Sequence, residues 1–343
     1  MGKTEVVTGH IVVTGCAGFI GSHLTDRLLV DGHEVVGIDS FEDFYPRAAK
    51  EANVESARAN TAFTLYEASI LDLAAEAAPG GPEALGAEGS ALAALLRGCD
   101  CVYHLAAQAG VRASWGSSFE VYLRNNVLAT QQLLEACVVA GVPKVIYASS
   151  SSVYGDQEEL PLREDMVPRP CSPYGVTKLA GEHLCGLYHD NHGLDTVSLR
   201  FFTVYGSRQR SDMAFHKFIR AMLEGHEIVI YGDGLQTRDF TFAVDIVEGL
   251  VRARAAPPGA TMNLGGGNRV GLSEAIRTLG EVAGMEPRLA RQVAEAGDVR
   301  DTWADIRYAA RMIGYAPTTS LEAGLAEEFA WLAGRTASVD GPG

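Results

Sequence analysis

A tyrosine and a lysine four residues apart, Tyr174 and Lys178 (YGVTK), open a stretch with helical apolar spacing that runs to Asn191. On a helix that spacing puts both side chains on one face. An ammonium beside a phenol favours the phenolate, which makes Tyr174 a candidate base near neutral pH. Upstream, the serine run Ser149, Ser150, Ser151 and Ser152 follows the short apolar segment Lys144 to Ala148 (KVIYA), which reads as a strand. At the carboxyl end of a parallel strand, a serine hydroxyl can hydrogen-bond a reacting oxygen and share its proton. The chemistry predicted is proton removal from an alcohol.

A second constellation supplies the hydride acceptor that such chemistry needs. Between an apolar run at His10–Thr14 and an amphipathic stretch at Phe19–Val30 lies Gly15-Cys-Ala-Gly18-Phe19-Ile20-Gly21. Glycines there permit a tight turn, close approach of backbone to a pyrophosphate, and close helix–strand packing. The helix N-terminus then offers free N–H groups to phosphate. Asp39 ends the next apolar run, Glu34–Asp39. Its carboxylate can accept from both ribose hydroxyls of NAD and would repel the 2′-phosphate of NADP. A bound oxidised nicotinamide adds a further positive charge near the phenol.

The elements that must position these groups alternate. Strands are predicted at His10–Thr14, Glu34–Asp39, Phe63–Tyr66, Cys101–Leu105, Lys144–Ala148 and Thr196–Phe201. Helices are predicted at Phe19–Val30, Phe119–Ala140 and Tyr174–Asn191. Such alternation predicts an α/β fold, a doubly wound parallel sheet of the Rossmann type. The Ala-, Gly- and Pro-rich segment from Leu73 to Ser90 reads as a solvated loop with a short helix. Beyond Phe201 the pattern turns irregular, as expected of a smaller second domain.

With 343 residues, one large or two medium domains are expected. Lys plus Arg is 28 against 43 Asp plus Glu, a formal charge of −15. That balance argues against nucleic acid and anionic membranes as partners. An anionic small substrate would need basic groups gathered locally. The six cysteines form no Cys-x-x-Cys pair, so reduced thiols and no metal site are expected. Residues 1–9 have no apolar leader and no run reaches about 18 apolar residues, so the expected location is the cytoplasm.

Taken together, these motifs resemble the extended short-chain dehydrogenase/reductase superfamily, in its nucleotide-sugar epimerase/dehydratase group. The matching pieces are the glycine loop, His104–Ala107 (HLAA), Asn126, the SSSSVYG segment, Tyr174 with Lys178, and Arg200–Gly206 (RFFTVYG). The resemblance implies an NAD-binding domain over residues 1–200 and a smaller α/β nucleotide-sugar domain over 201–335, with part of 238–265 packing back on the first. It implies Ser150, Tyr174 and Lys178 as the catalytic trio. Asp72 and Leu73 are expected near the adenine, Leu105, Ala106 and Ala107 along the cofactor, and Asn126 near the active site. It further implies a homodimer through the helices at 119–140 and 174–191.

Within that group the site must choose the reaction. Where 4,6-dehydratases carry Asp and Glu, and decarboxylases usually a Glu, this chain has Ser151 and Ser152. The segment from Thr203 through Arg208-Gln-Arg210 to Asp212-Met-Ala is similar to UDP-glucuronate 4-epimerases, in which the Thr and the second Arg bind the sugar carboxylate. The family more often has Pro at 207 and 211, where this chain has Ser. By the same resemblance Arg238 holds the UDP phosphates, Tyr231 stacks on uracil, Asp298 belongs to the ribose and phosphate network, and Arg112 is a further anion contact. The expected reaction is NAD-dependent 4-epimerisation of UDP-glucuronate. The alternatives are UDP-glucuronate decarboxylation, UDP-glucose 4-epimerisation, and a non-catalytic NAD-sensing protein.

Overall fold

The computed structural model describes residues 9–77, 87–293 and 299–339. The strands, in chain order, are β1 (His10–Thr14), β2 (Glu34–Asp39), β3 (Phe63–Glu67), β4 (Cys101–His104), β5 (Lys144–Ser150), β6 (Asp195–Phe201), β7 (Thr203–Tyr205), β8 (Ile228–Tyr231), β9 (Thr237–Arg238), β10 (Phe240–Phe242), β11 (Thr261–Leu264), β12 (Val270–Gly271) and β13 (Leu289–Gln292). The helices are α1 (Phe19–Val30), α2 (Arg47–Arg58), α3 (Ile70–Ala75), α4 (Ala91–Leu96), α5 (Phe119–Tyr122), α6 (Ala129–Ala140), α7 (Pro173–His192), α8 (Ala214–Leu223), α9 (Ala243–Arg252), α10 (Leu272–Ala283), α11 (Arg307–Ile313) and α12 (Leu321–Val339).

Seven strands form one sheet in the order β3-β2-β1-β4-β5-β6-β11. Every neighbouring pair in it is parallel. The central strands are unbroken apolar runs because both faces are covered. Ile11 and Val13 pack with Leu24 and Leu28 of α1 and Ile246 and Leu250 of α9. Val12, between them in sequence, faces the other way, toward Leu92 of α4 and Leu133 of α6. Truncating the fully buried Leu133 to Ala would cost about 2–5 kcal/mol. Strand order reverses between β1 and β4, where parallel sheets open a crevice at their carboxyl ends. A separate apolar cluster joins Tyr205, Phe215, Ile219, Phe240, Ile276 and Leu325 from the later elements.

Helix α2 has no counterpart among the expected elements, and two other segments depart from expectation. The single helix expected over 119–140 contains a π-helical turn, Leu123–Leu128, between α5 and α6. That widened turn carries the buried Asn126, whose side chain bonds elsewhere. The segment expected as a loop from Leu73 begins inside α3 and ends at Ser90, the N-cap of α4; residues 78–86 lie outside the described residues.

Candidate active site

The crevice at the reversal point is walled on one side by backbone. Gly15 has φ +73°, and a Cβ there would stand 2.7 Å from Ala106 N. A Cβ on Gly21 would meet the Gly15 carbonyl oxygen at 2.0 Å, and one on Gly18 the same oxygen at 3.1 Å. Gly15 and Gly21 therefore have no room for a side chain where β1 turns into α1, and Gly18 has little. Helix α1 starts at Phe19 with no side-chain cap and no acidic residue in its first turn, so its N–H groups and positive end face the cleft. Asp39 is held by the backbone N–H groups of Ala17 (3.1 Å) and Phe41 (2.8 Å). The Lys50 ammonium lies 3.7 Å from it.

These features fit NAD: a tight glycine turn on the cleft, an uncapped helix end, and a fixed carboxylate at the end of β2. Phe19, Ile20, Leu105, Ala106 and Ala107 line the same cleft. Asp72 and Leu73 do not: Asp72 is exposed on α3 and Leu73 is buried in the core beneath it. In their place Ala68, Ser69 and Ile70 face the cleft, as do Phe44, Tyr45 and Lys50. Lys50 carried no sequence signal of its own, because α2 brings it to Asp39 only through tertiary packing.

Tyr174 and Lys178 lie on one face of α7 and both line the cleft. Ser172 caps that helix by accepting from Gly175 N at 3.1 Å, and Pro173 occupies its first turn. Ser150 ends β5, accepts from Ser152 N at 3.1 Å, and stands beside the Tyr174 phenol. Burial pushes the Tyr174 phenol up, while the Ser150 hydroxyl and the Arg210 charge pull it down. Lys178 was expected to supply that pull. Instead its ammonium donates to the Ala148 carbonyl at 2.9 Å and lies 5.2 Å from the Tyr147 ring centroid. Burial brings the Lys178 ammonium down to about 8, with Cys185 and Glu182 opposing.

Supporting contacts fix this trio. Asn126 accepts from Gln108 N (2.7 Å) and donates to Gln108 O (3.0 Å) and to Thr177 Oγ1 (3.0 Å), next to Lys178. It thereby ties the loop after β4 to α7. Beneath the serine run, Glu182 accepts from Ser149 and takes a two-pronged ion pair from the buried Arg200, at 2.9 and 2.8 Å. His104 is pinned between Thr14 (2.8 Å) and Thr130 (2.9 Å), and burial drops it to about 3, so it is a neutral structural link from β4 to β1 and α6.

Arg210 reaches the cleft from the loop after β7. It pairs with Asp212 through Nε (2.9 Å) and Nη2 (3.0 Å), and its guanidinium lies 5.6 Å from the Phe44 ring centroid. Thr203, half-buried, starts β7 opposite Phe240 and is outside the lining of the cleft. Ser151 and Ser152 form the half-buried turn that follows β5. Arg112 stacks on the Tyr231 ring at 4.3 Å, so those two expected substrate contacts meet each other. Arg238 Nη1 donates to the carbonyls of Thr237 (2.8 Å) and Arg300 (2.9 Å). Asp298 lies outside the described residues. No cluster of metal-ligating side chains occurs among the described residues.

Fold and cleft define a Rossmann-type enzyme in which the glycine turn, Tyr174 and Lys178 face one cavity. The profile of the NAD dependent epimerase/dehydratase family matches residues 11–265, and the chain belongs to that family. It is similar to an uncharacterised UDP-glucose epimerase, YtcB, of Bacillus subtilis, at 41% identity over 94% of this chain and 97% of that one. A UDP-glucuronate 4-epimerase of Thermodesulfobacterium geofontis is 35% identical over 94% and 96%. Among solved structures, the UDP-glucuronic acid 4-epimerase of Bacillus cereus, in complex with UDP-glucuronic acid and NAD, superposes with a TM-score of 0.88. Its identity is 42%, over 95% of this chain and 99% of that one.

Proposed function

We propose that the protein interconverts UDP-glucuronate and UDP-galacturonate by 4-epimerisation. The observation that carries this reading is the presence of Arg210 in one cleft with Tyr174 and the glycine cradle. A cation beside the catalytic phenol is what a sugar acid needs and a neutral sugar does not. NAD, when bound, accepts the C4 hydride and gives it back. Tyr174 takes the C4 hydroxyl proton, with Ser150 bonded to the same oxygen. In the free protein burial keeps the phenol protonated, so the positive charge arriving with the cofactor adds to the pull of Arg210. The 4-keto sugar turns over in the site, and the proton returns from Tyr174 as the opposite face is reduced.

The intermediate is a β-keto acid, which loses CO2 when its carboxylate bond stands perpendicular to the carbonyl plane. Arg210 holds that carboxylate as the anion and fixes its angle. Asp212 occupies the Arg210 guanidinium in the structure, so the incoming carboxylate shares or replaces that partner. Ser151 and Ser152 put no acid beside the sugar, which disfavours dehydration and decarboxylation. Arg112, Tyr231 and Arg238 are assigned to the UDP portion, and Asp39 with Lys50 to the adenosine ribose.

The protein acts as a homodimer through α5–α6 and α7. Val121 and Leu128 on the first, and Val176 and Leu187 on the second, are exposed apolar side chains suited to a partner copy. All six cysteines are free thiols, in keeping with a reducing cytoplasm. The test of the reaction is purified protein with UDP-glucuronate and no added cofactor, followed by proton NMR. UDP-galacturonate at unchanged total sugar acid is expected. A UDP-pentose with CO2 would transfer the assignment to the decarboxylase.

A further inference from the structure

The loop that carries Arg210 contains a backbone conformation its sequence does not favour. Gln209 N donates to Gly206 O at 3.1 Å, closing a four-residue turn. Its third residue, Arg208, has φ +64°. A turn of this kind, with positive φ at the third position, suits Gly or Asn there, and a long side chain is strained in it. Arginine at that position therefore needs a reason outside the backbone.

The reason is visible on α1. Arg208 Nη2 meets Asp26 Oδ2 at 2.7 Å, and the side chains are 22% and 28% exposed. Arg208 Nη1 is buried with no acceptor among the described residues. One turn earlier on the same face of α1, His23 Nε2 bonds the Ser207 carbonyl at 2.8 Å. A carbonyl only accepts, so His23 is the donor. On the loop's other side the Gly206 N–H donates to Glu328 of α12 at 2.8 Å. The turn is thus clamped between the helix whose first turn faces the cofactor and the helix that closes the later part of the chain. Arg210 leaves that clamp two residues after Arg208.

We propose that Arg208 is a positioning residue. Its ion pair with Asp26 holds the left-handed turn and so aims Arg210 at the carboxylate of a sugar acid, making the pair a determinant of sugar-acid specificity. The inference rests on the reading that Arg210 binds that carboxylate. It implies that Arg208 acts through backbone geometry and touches no substrate atom.

Two variants separate these ideas. Arg208→Asn accepts the left-handed conformation but loses the ion pair. The exchange Asp26→Arg with Arg208→Asp restores the pair with its charges reversed, and Asp also tolerates positive φ. Calorimetry with UDP-glucuronate and UDP-glucose, alongside bound NAD content, reads the outcome. Arg208→Asn should weaken UDP-glucuronate binding by about tenfold, within the range for network residues that contact no ligand. UDP-glucose affinity and NAD content should stay at the wild-type level. The exchange should bring UDP-glucuronate back most of the way. Unchanged UDP-glucuronate affinity in Arg208→Asn, or equal loss for both sugars, would overturn the proposal. So would a folded exchange variant that recovers nothing, since Arg208 would then be touching the substrate itself. A wild-type protein that fails to prefer UDP-glucuronate would remove the Arg210 reading first, and this inference with it.

Discussion

On the cofactor side of the cleft the wall is main chain: Gly15, Gly18 and Gly21, the open end of α1, and an Asp39 fixed by two backbone N–H groups. On the proposed sugar side are the ends of long side chains, of which Arg210 lines the cleft. Arg210 is held by Asp212, Arg112 lies over Tyr231, and Arg238 caps two carbonyls. A main-chain wall is rigid and has one shape, which suits a cofactor that remains bound through each cycle. A wall of arginines can exchange partners, which suits a sugar that must enter, turn over and leave. The proposed catalytic trio stands at the seam, on α7 and at the end of β5.

The contrast can be sharpened by substitution on each side and at the seam. The largest effect belongs to the seam. Tyr174→Phe should lower kcat by about a thousandfold, within the range for losing a general base, with UDP-glucuronate affinity nearly unchanged by calorimetry. Next comes the sugar wall. Arg210→Ala should lower kcat/KM for UDP-glucuronate by about a hundredfold while NAD content is kept, and headspace analysis should detect CO2 from the unrestrained keto acid. Complete loss of turnover with no CO2 at all would count against the restraint. On the cofactor wall, Gly21→Ala drives a methyl into the Gly15 carbonyl. Absorbance of the purified variant should show NAD content down by about tenfold or more, because the cradle cannot close. Retained NAD would mean the wall is softer than its geometry implies.

The smallest effect is on stability. Glu328 is fully buried, and burial raises its carboxyl to about 8, with the Gly206 N–H opposing. The folded protein therefore holds a proton that the unfolded chain releases near its ordinary value of 4.5. Stability from this group is present below that pH and is lost as pH rises toward 8. Glu328→Gln should flatten the decline, so that thermal melts at pH 8.5 favour the variant by a few degrees while melts at pH 5 do not separate the two. Equal slopes would place the titration elsewhere.

What could be seen in the sequence follows the same divide. The glycine loop and Asp39 were legible because only glycine fits those backbone positions and the acid ends a strand. The strands were legible as unbroken apolar runs, and β1 and β2 match the residues expected. Tyr174 and Lys178 were legible as an i, i+4 pair, yet the lysine's partner is the Ala148 carbonyl, a contact set by how α7 packs on β5. Helix α2 has few apolar residues beyond Val54 and its alanines, so it went unseen, and Lys50 with it. Asp72 was expected at the adenine by resemblance, but α3 begins at Ile70 and turns Asp72 to solvent. The hold of Asp212 on Arg210, and of Asp26 on Arg208, are loop and tertiary geometries that no spacing announces.

The central claim is that C4 is oxidised and re-reduced within one closed site. UDP-glucuronate deuterated at C4 tests it most directly, with products followed by proton NMR in ordinary water and no cofactor added. The account predicts UDP-galacturonate that retains deuterium at C4, because the hydride removed is the one returned. UDP-galacturonate carrying a solvent proton at C4 would contradict it, since inversion would then proceed by deprotonation of carbon rather than by hydride transfer.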